Sequence, residues 1–197
     1  MPESFTFTSS VLSVADKRCL LRIARRSIES ALTHGTGQMD VYEGDLSKPA
    51  GAFVTLRENG ELRGCIGFID SEQPLAETVR EAAARAALED PRFTPVTPEE
   101  IARLEIEISV LSALRSIKSE REIEIGLHGL VVEAGGRRGL LLPQVAVEFG
   151  WDQPTFLRQT MRKAGVPAQL KGAVEMRMYV FCAEVFDEQA LSSDQHQ

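Results

Sequence analysis

Apolar residues between Val14 and Leu32 recur at helical spacing. Leu20, Ile23, Ala24, Ile28, Ala31 and Leu32 form one stripe, with Arg22, Arg25, Arg26 and Glu29 off it. Ser13-Val14-Ala15-Asp16 has the form of a capping box, with Asp for the usual Glu or Gln. The pattern predicts a helix over 14–32 that stops at Gly35 and Gly37. Cys19 precedes Ile23 by one turn and reads as core-facing. His34 reads as a cap where partial positive charge is welcome. A polar loop over 35–50 follows.

The period then changes to two. Ala52 to Arg57 and Glu61 to Ile69 predict strands joined at Asn59-Gly60, a strong hairpin signal. Ser71 is placed to cap a helix from Pro74 to Leu88, whose face of Ala82, Ala83, Ala86 and Ala87 lets it lie close on a sheet. Pro91, Pro95 and Pro98 stiffen a connector, and Thr97-Pro98-Glu99-Glu100 is a second capping box. Leu104 to Leu111 alternates and predicts a strand with one wet face. Gly129 to Glu133 and Gly139 to Leu142 predict a hairpin around Gly135-Gly136. Pro143 opens a short helix ending near Gly150, and Asp152 caps another from Gln153 to Ala164. Val174 to Phe186 reads as one long closing strand. No regular βαβ repeat appears, so the expected class is α+β, a mainly antiparallel sheet with flanking helices.

The chain has 197 residues, 43% hydrophobic and 26% charged, as in an ordinary globular protein. Its net charge of -7 argues against broad nucleic-acid binding. Arg22, Arg25 and Arg26 make a basic stripe that reads as a solvated face. No apolar run nears the roughly 20 residues that span a bilayer, and Met1–Ser10 reads as no signal peptide. Cys19, Cys65 and Cys182, an odd number without CxxC spacing, form neither a disulfide framework nor a zinc knuckle. The expected compartment is a reducing cytoplasm. With no GxxxxGK[ST], GxGxxG or HxxxH pattern, no cofactor and no metal is expected.

Candidate chemistry gathers at Leu62-Arg63-Gly64-Cys65-Ile66-Gly67, a thiol between glycines just after the hairpin turn. A regular hairpin would set Leu56 opposite Arg63 and Val54 opposite Cys65. Arg63, Cys65 and Gly67 would then share one face, with Leu62, Gly64, Ile66 and Phe68 on the other. Arg63 would lie about 7 Å from Cys65 along the strand, where a guanidinium favours the thiolate, and Gly67 would leave the space beyond the sulfur open. Alternatively Cys65 is a small apolar residue packed on Val54, with glycines because a helix lies close. His128 is the histidine placed to partner a thiol, or else a turn or core residue. Gly135-Gly136-Arg137-Arg138-Gly139 reads either as an anion clamp or as a solvated hairpin tip. Trp151 reads as a hydrophobic staple for the helix after it.

Several segments together resemble the AMMECR domain family. They are Gly51-Ala52-Phe53-Val54-Thr55-Leu56, Leu62 to Gly67, Asp90-Pro91-Arg92-Phe93, Glu107 to Ser112, His128-Gly129-Leu130, Leu141 to Ala146, and Gly150-Trp151-Asp152. The resemblance implies one domain over 1–197, with a matching core of about 14–186 and a polar tail over 187–197. It further implies two intertwined lobes, larger and smaller, with a groove between them. The chain looks like the A component of the AmmeMemoRadiSam system, which implies Memo-like and radical SAM proteins as partners and a small-molecule ligand of unstated identity. No activity is firmly assigned to that family. The expected function is a binding or accessory component acting through a groove near Leu62–Gly67. The alternative is an enzyme with Cys65 as nucleophile or substrate-anchoring thiol and His128 as its base. Arg63, Gly64, Gly67, Arg92 and Trp151 are the ligand-binding candidates. Against the family it resembles, where a cysteine is common at this position, this chain has Met161, which weakens a two-cysteine redox scheme.

Overall fold

The Ser13 capping box forms as expected. The Asp16 N–H donates to Ser13 Oγ at 3.1 Å, and the Ser13 N–H donates to Asp16 Oδ2 at 3.3 Å. Helix α1, Val14–Leu32, then buries Leu20, Leu21, Ala24 and Ile28. The computed structural model describes residues 12–33, 41–166 and 175–193. The expectations for His34, Gly35 and Gly37 therefore lie outside the described residues.

Asn59 and Gly60 take φ of 53° and 79°, the paired positive values of a two-residue hairpin turn. They join β1, Ala52–Glu58, to β2, Glu61–Phe68. Helix α2 is Leu75–Leu88, with Pro74 rather than Ser71 at its cap. The Ser71 hydroxyl instead accepts from the Gln73 N–H and the Thr78 hydroxyl. A short helical turn, Pro98–Arg103, leads into β3, Leu104–Leu111.

Ser112 begins a second unit, which runs to Ala183; the residues before it and those from Glu184 make the first. In the second unit β4, Arg115–Ile117, pairs with β7, Met176–Phe181. Strand β7 also pairs with β5, Gly129–Ala134, which pairs with β6, Arg137–Leu141. Helices α3, Pro143–Glu148, and α4, Gln153–Lys163, complete this unit, and the Asp152 carboxylate accepts from the Thr155 N–H at 2.9 Å. Phe156, Leu157, Leu130, Val132 and Val180 fill its core, where Met161 is also buried. Gly139 admits α4 closely, because a Cβ there would meet the Ala164 backbone.

The expected long last strand is two. Chain order breaks at Cys182, and β8, Ala183–Asp187, joins the other sheet before a final turn of helix, α5, Glu188–Ser193. Ser112 and Cys182 exchange hydrogen bonds at this break: the Ser112 N–H to the Cys182 carbonyl, and the Cys182 N–H to Ser112 Oγ, both at 2.9 Å. A single strand through Cys182 would have to serve both sheets. The three-residue β4 was not anticipated at all.

The first sheet has order β2-β1-β3-β8 and the second β4-β7-β5-β6. The fold is thus α+β, with two antiparallel sheets flanked by helices. One face of the first sheet carries Ala52, Val54, Leu56, Ile106 and Ile108, all fully buried with α1 and α2 residues in one core. No helix among the described residues is long and apolar enough to cross a membrane.

Candidate functional site

Beyond the turn the hairpin is not regular. Glu58 opposes Glu61 and Arg57 opposes Leu62, but Leu56 opposes Gly64, so Arg63 is an extra, bulged residue. The bulge corrects the expected pairing by one position. Cys65 stands opposite Thr55, not Val54, and Thr55 Oγ1 donates to Cys65 Sγ at 3.4 Å. Val54, opposite Ile66, belongs to the helix-covered core. Cys65 itself is half-buried.

The bulge also sends Arg63 elsewhere. Its Nε and Nη2 donate to the Glu100 carboxylate at 2.7 and 3.2 Å, and Nη1 donates to the Thr94 carbonyl at 2.9 Å. This guanidinium chiefly, with the Thr97 N–H, lowers Glu100 to about 2. Arg63 is therefore a strut between β2 and the 94–100 connector, not the activator of a thiol. The two glycines are steric necessities. A Cβ on Gly64 would strike the Ala86 carbonyl in α2, and one on Gly67 would strike the Phe53 ring. The space beside Gly67 is filled by that ring rather than open.

The arginine that reaches Cys65 is Arg92. Just after α2, Asp90 is 5% exposed and takes four hydrogen bonds. The Cys65 N–H donates to Oδ2 at 2.8 Å, Arg92 Nη2 to Oδ2 at 2.6 Å, and Arg92 Nε and N–H to Oδ1 at 2.9 and 3.1 Å. These bonds, Arg92's first, hold the Asp90 carboxyl well below the usual range despite its burial. Asp90 and, more weakly, Cys65 raise Arg92 in turn. Arg92 Nη2 also donates to the Cys65 carbonyl at 3.4 Å, and its side chain stays 50% exposed. A buried carboxylate thus orients a guanidinium whose outer edge faces solvent beside a thiol. Such an edge suits a carboxylate or phosphate oxygen. Sequence reasoning missed Asp90 and Thr55. The signal for Asp90 was an acid immediately before Pro91, which favours a turn closed on its own side chain.

His128 belongs to the second unit and is 5% exposed. The Glu124 N–H donates to its Nδ1 at 3.0 Å. A neutral imidazole accepting there carries its proton on Nε2, so it offers no lone pair to take a proton. Nε2 is buried and meets no partner among the described residues. Burial first, then the Arg115 charge, lowers the His128 pKa. The β5–β7 register, carried one step past Gly129 opposite Phe181, sets His128 opposite Cys182. Burial raises the Cys182 thiol pKa. Histidine and thiol are therefore both neutral here, and the imidazole is not built as a base.

Trp151 stacks on Phe149 with ring centroids 5.0 Å apart and packs against the second core. At the β5–β6 tip a cavity of about 580 Å³ is lined by Glu133, Arg138, Glu175 and Arg177 among others. Arg138 pairs with Glu133 at 2.9 Å and Arg177 with Glu175 at 3.1 Å, while Arg137 bonds the Gly165 carbonyl. The expected anion clamp is thus occupied by the protein's own acids and carbonyls. Arg25, expected on a solvated face, is likewise engaged, donating to both Glu188 oxygens at 2.8 and 2.6 Å and to the Ile101 and Leu104 carbonyls. No cluster of three or more potential metal ligands occurs among the described residues.

The sequence model of the AMMECR1 family matches residues 21–186. A protein of Methanothermobacter thermautotrophicus is 42% identical over 186 residues, covering 90% of this chain and 96% of its own length. One from Aeropyrum pernix is 44% identical over 187 residues, covering 90% and 80%. The crystal structure of an uncharacterized protein from Pyrococcus horikoshii superposes with a TM-score of 0.79 at 41% identity, covering 86% of this chain and 90% of that one.

Proposed function

Because the chain belongs to the AMMECR1 family, we propose that it is a binding or accessory component that acts with Memo-like and radical SAM partners. The recognition site is the surface of β2 at Cys65, with Arg92 as its principal contact. One observation carries this reading. Buried Asp90 fixes the Arg92 guanidinium by two side-chain hydrogen bonds while leaving half of that side chain in solvent. A structural arginine that only had to be paired would not need that exposure. The pair is close to neutral overall, so it offers directional hydrogen bonds to an oxyanion rather than long-range attraction.

The test is calorimetric titration of the purified protein with the Memo-like and radical SAM proteins of the same genome. Arg92→Ala should weaken binding by about 10-fold, the equivalent of about 1.4 kcal/mol. Cys65→Ser should leave it within about two-fold, since in this reading the thiol packs rather than binds. Unchanged affinity in Arg92→Ala, with the folded circular dichroism spectrum retained at the titration temperature, would overturn the reading. The enzymatic alternative draws support from the Thr55 hydroxyl on the Cys65 sulfur.

A further inference from the structure

Large hydrophobic side chains stand exposed in two different ways in this protein. In the first unit, Val14, Val41, Leu62 and Val185 are scattered over separate parts of the chain, which is ordinary for a protein surface. In the second unit, those exposed among the described residues are Leu127, Val147 and Phe149, at 43%, 59% and 60%. These three lie together. Val147 on α3 reaches over Gly126, where a Cβ would stand 3.4 Å from Val147 Cγ2, and Leu127 is the next residue. Phe149 stacks on half-buried Trp151, which itself packs against the second core.

The backbone holds these side chains outward. Gly150, with φ of 62°, turns the chain between the two rings, and the Trp151 N–H donates to the Ala146 carbonyl at 2.8 Å. The Leu127 N–H donates to the Glu124 carbonyl at 3.2 Å, and Gln153 Nε2 donates to the Ile123 carbonyl at 3.0 Å, tying that loop to the start of α4. The surrounding charge is one-sided. Segments 120–127 and 147–158 carry Glu120, Glu122, Glu124, Glu148 and Asp152 against Arg121 and Arg158. Asp152 has a local duty as the α4 cap. Glu148 has none of that kind, since it closes α3 at the end where a cation is preferred.

We propose that this patch docks an amphipathic helix of a partner protein, aliphatic along one face and flanked there by Lys or Arg. Charge complementarity selects that occupant. A second copy of this chain across a two-fold axis would set the patch against itself and bring its carboxylates face to face. An anionic membrane surface would be repelled in the same way. A basic flank meets the acids with opposite charge, while the aliphatic face covers Leu127, Val147 and Phe149. An apolar centre holding an aromatic pair inside a charged rim is also how the energetic core of an interface is built. The surface lies wholly in the second unit, so it is additional to the Cys65 surface of the first.

Trp151, the one tryptophan, reports occupancy of the patch by its emission. The full chain is titrated with a tryptophan-free leucine–lysine amphipathic peptide of about five helical turns, and with its leucine–glutamate counterpart. The lysine peptide should shift the emission and saturate, and the glutamate peptide should not. Phe149→Ser and Val147→Ser, at exposed positions, should each weaken lysine-peptide binding by about 10-fold. Glu124→Lys with Glu148→Lys should exchange the preference, so that the glutamate peptide binds about 10-fold more tightly than the lysine one. Equal response to both peptides, or an affinity that Phe149→Ser leaves unchanged, overturns the inference. Self-association in sedimentation velocity that Phe149→Ser abolishes would put a second copy on the patch and overturn it too. Binding to phosphatidylcholine–phosphatidylglycerol vesicles that the same variant abolishes would do so in favour of a membrane. Partner titration of Arg92→Ala reads the first unit's surface, so the two proposals fail separately.

Discussion

Two regions of this protein hold similar side chains in opposite electrostatic states. In the first unit Asp90 and Arg92 lie beside Cys65, and each of that pair is held charged by the other. In the second unit Cys182 lies opposite His128, with Arg115 and Glu124 acting on both, and burial keeps thiol and imidazole neutral. Residue type alone does not distinguish the regions; supply of hydrogen bonds does. A carboxylate given four donors stays ionised in a buried position, whereas an imidazole given one donor on Nδ1 and nothing on Nε2 is harder to protonate.

The comparison is most exposed at Asp90. Asp90→Ala strips the Cys65 N–H and the Arg92 guanidinium of their acceptor at once, and should cost about 3 kcal/mol in urea unfolding. A loss below about 1 kcal/mol would mean that the pairing does not hold the region. Gly64→Ala should cost about 2 kcal/mol, because the new methyl meets the Ala86 carbonyl and α2 must back away. The same melt checks it, and an unchanged midpoint would show that the helix is not seated on β2 as described.

Arg63→Met sharpens the comparison differently. It should lower stability by about 1 kcal/mol through loss of the Glu100 pair, yet leave Cys65 alkylation at the wild-type rate. A change in alkylation would restore Arg63 as the thiol's companion. The smallest effect is in pH. His128 is harder to protonate folded than unfolded, so the second unit should lose stability as pH falls below about 6.5. Glu107 has the opposite sign: its raised pKa penalises the first unit above the ordinary carboxyl range, so the same acidification relieves it. Only further down, below about 4, are the stabilising Asp90 and Glu100 carboxylates lost. Trp151, the one tryptophan, reports the second unit by fluorescence. Parallel pH dependence of that signal and of first-unit amide exchange would erase the contrast.

Signals contained within a few residues were legible in the sequence. Asn59-Gly60 forms its turn, Ser13 with Asp16 and Thr97 with Glu100 form their boxes, and Asp152 caps α4. Each depends on neighbours in the chain. What escaped depends on distant packing. The bulge at Arg63 has no local marker, since its cause is a guanidinium drawn to Glu100 in another element. The break at Cys182 lies inside an unbroken apolar run, where nothing announces that Phe181 and Ala183 serve different sheets. Cys65 was legible as a candidate because its glycine neighbours are adjacent to it. Its neighbours in space were not, since Thr55 faces it only through a register that the bulge has shifted and Arg92 reaches it from the segment after α2.

The break at Cys182 has a consequence for how the protein is made. The first sheet takes its last strand, β8, from beyond the whole second unit, and Arg25 must find Glu188 across 163 positions of sequence. During synthesis α1, α2 and the β1–β2–β3 sheet emerge early but wait with the β3 edge unpaired, at about 5–20 residues per second, until the second unit has left the ribosome. The nascent chain therefore passes through an interval in which an open strand edge is exposed to solvent. The time taken to synthesise the inserted unit, Ser112 to Ala183, sets the shortest such interval.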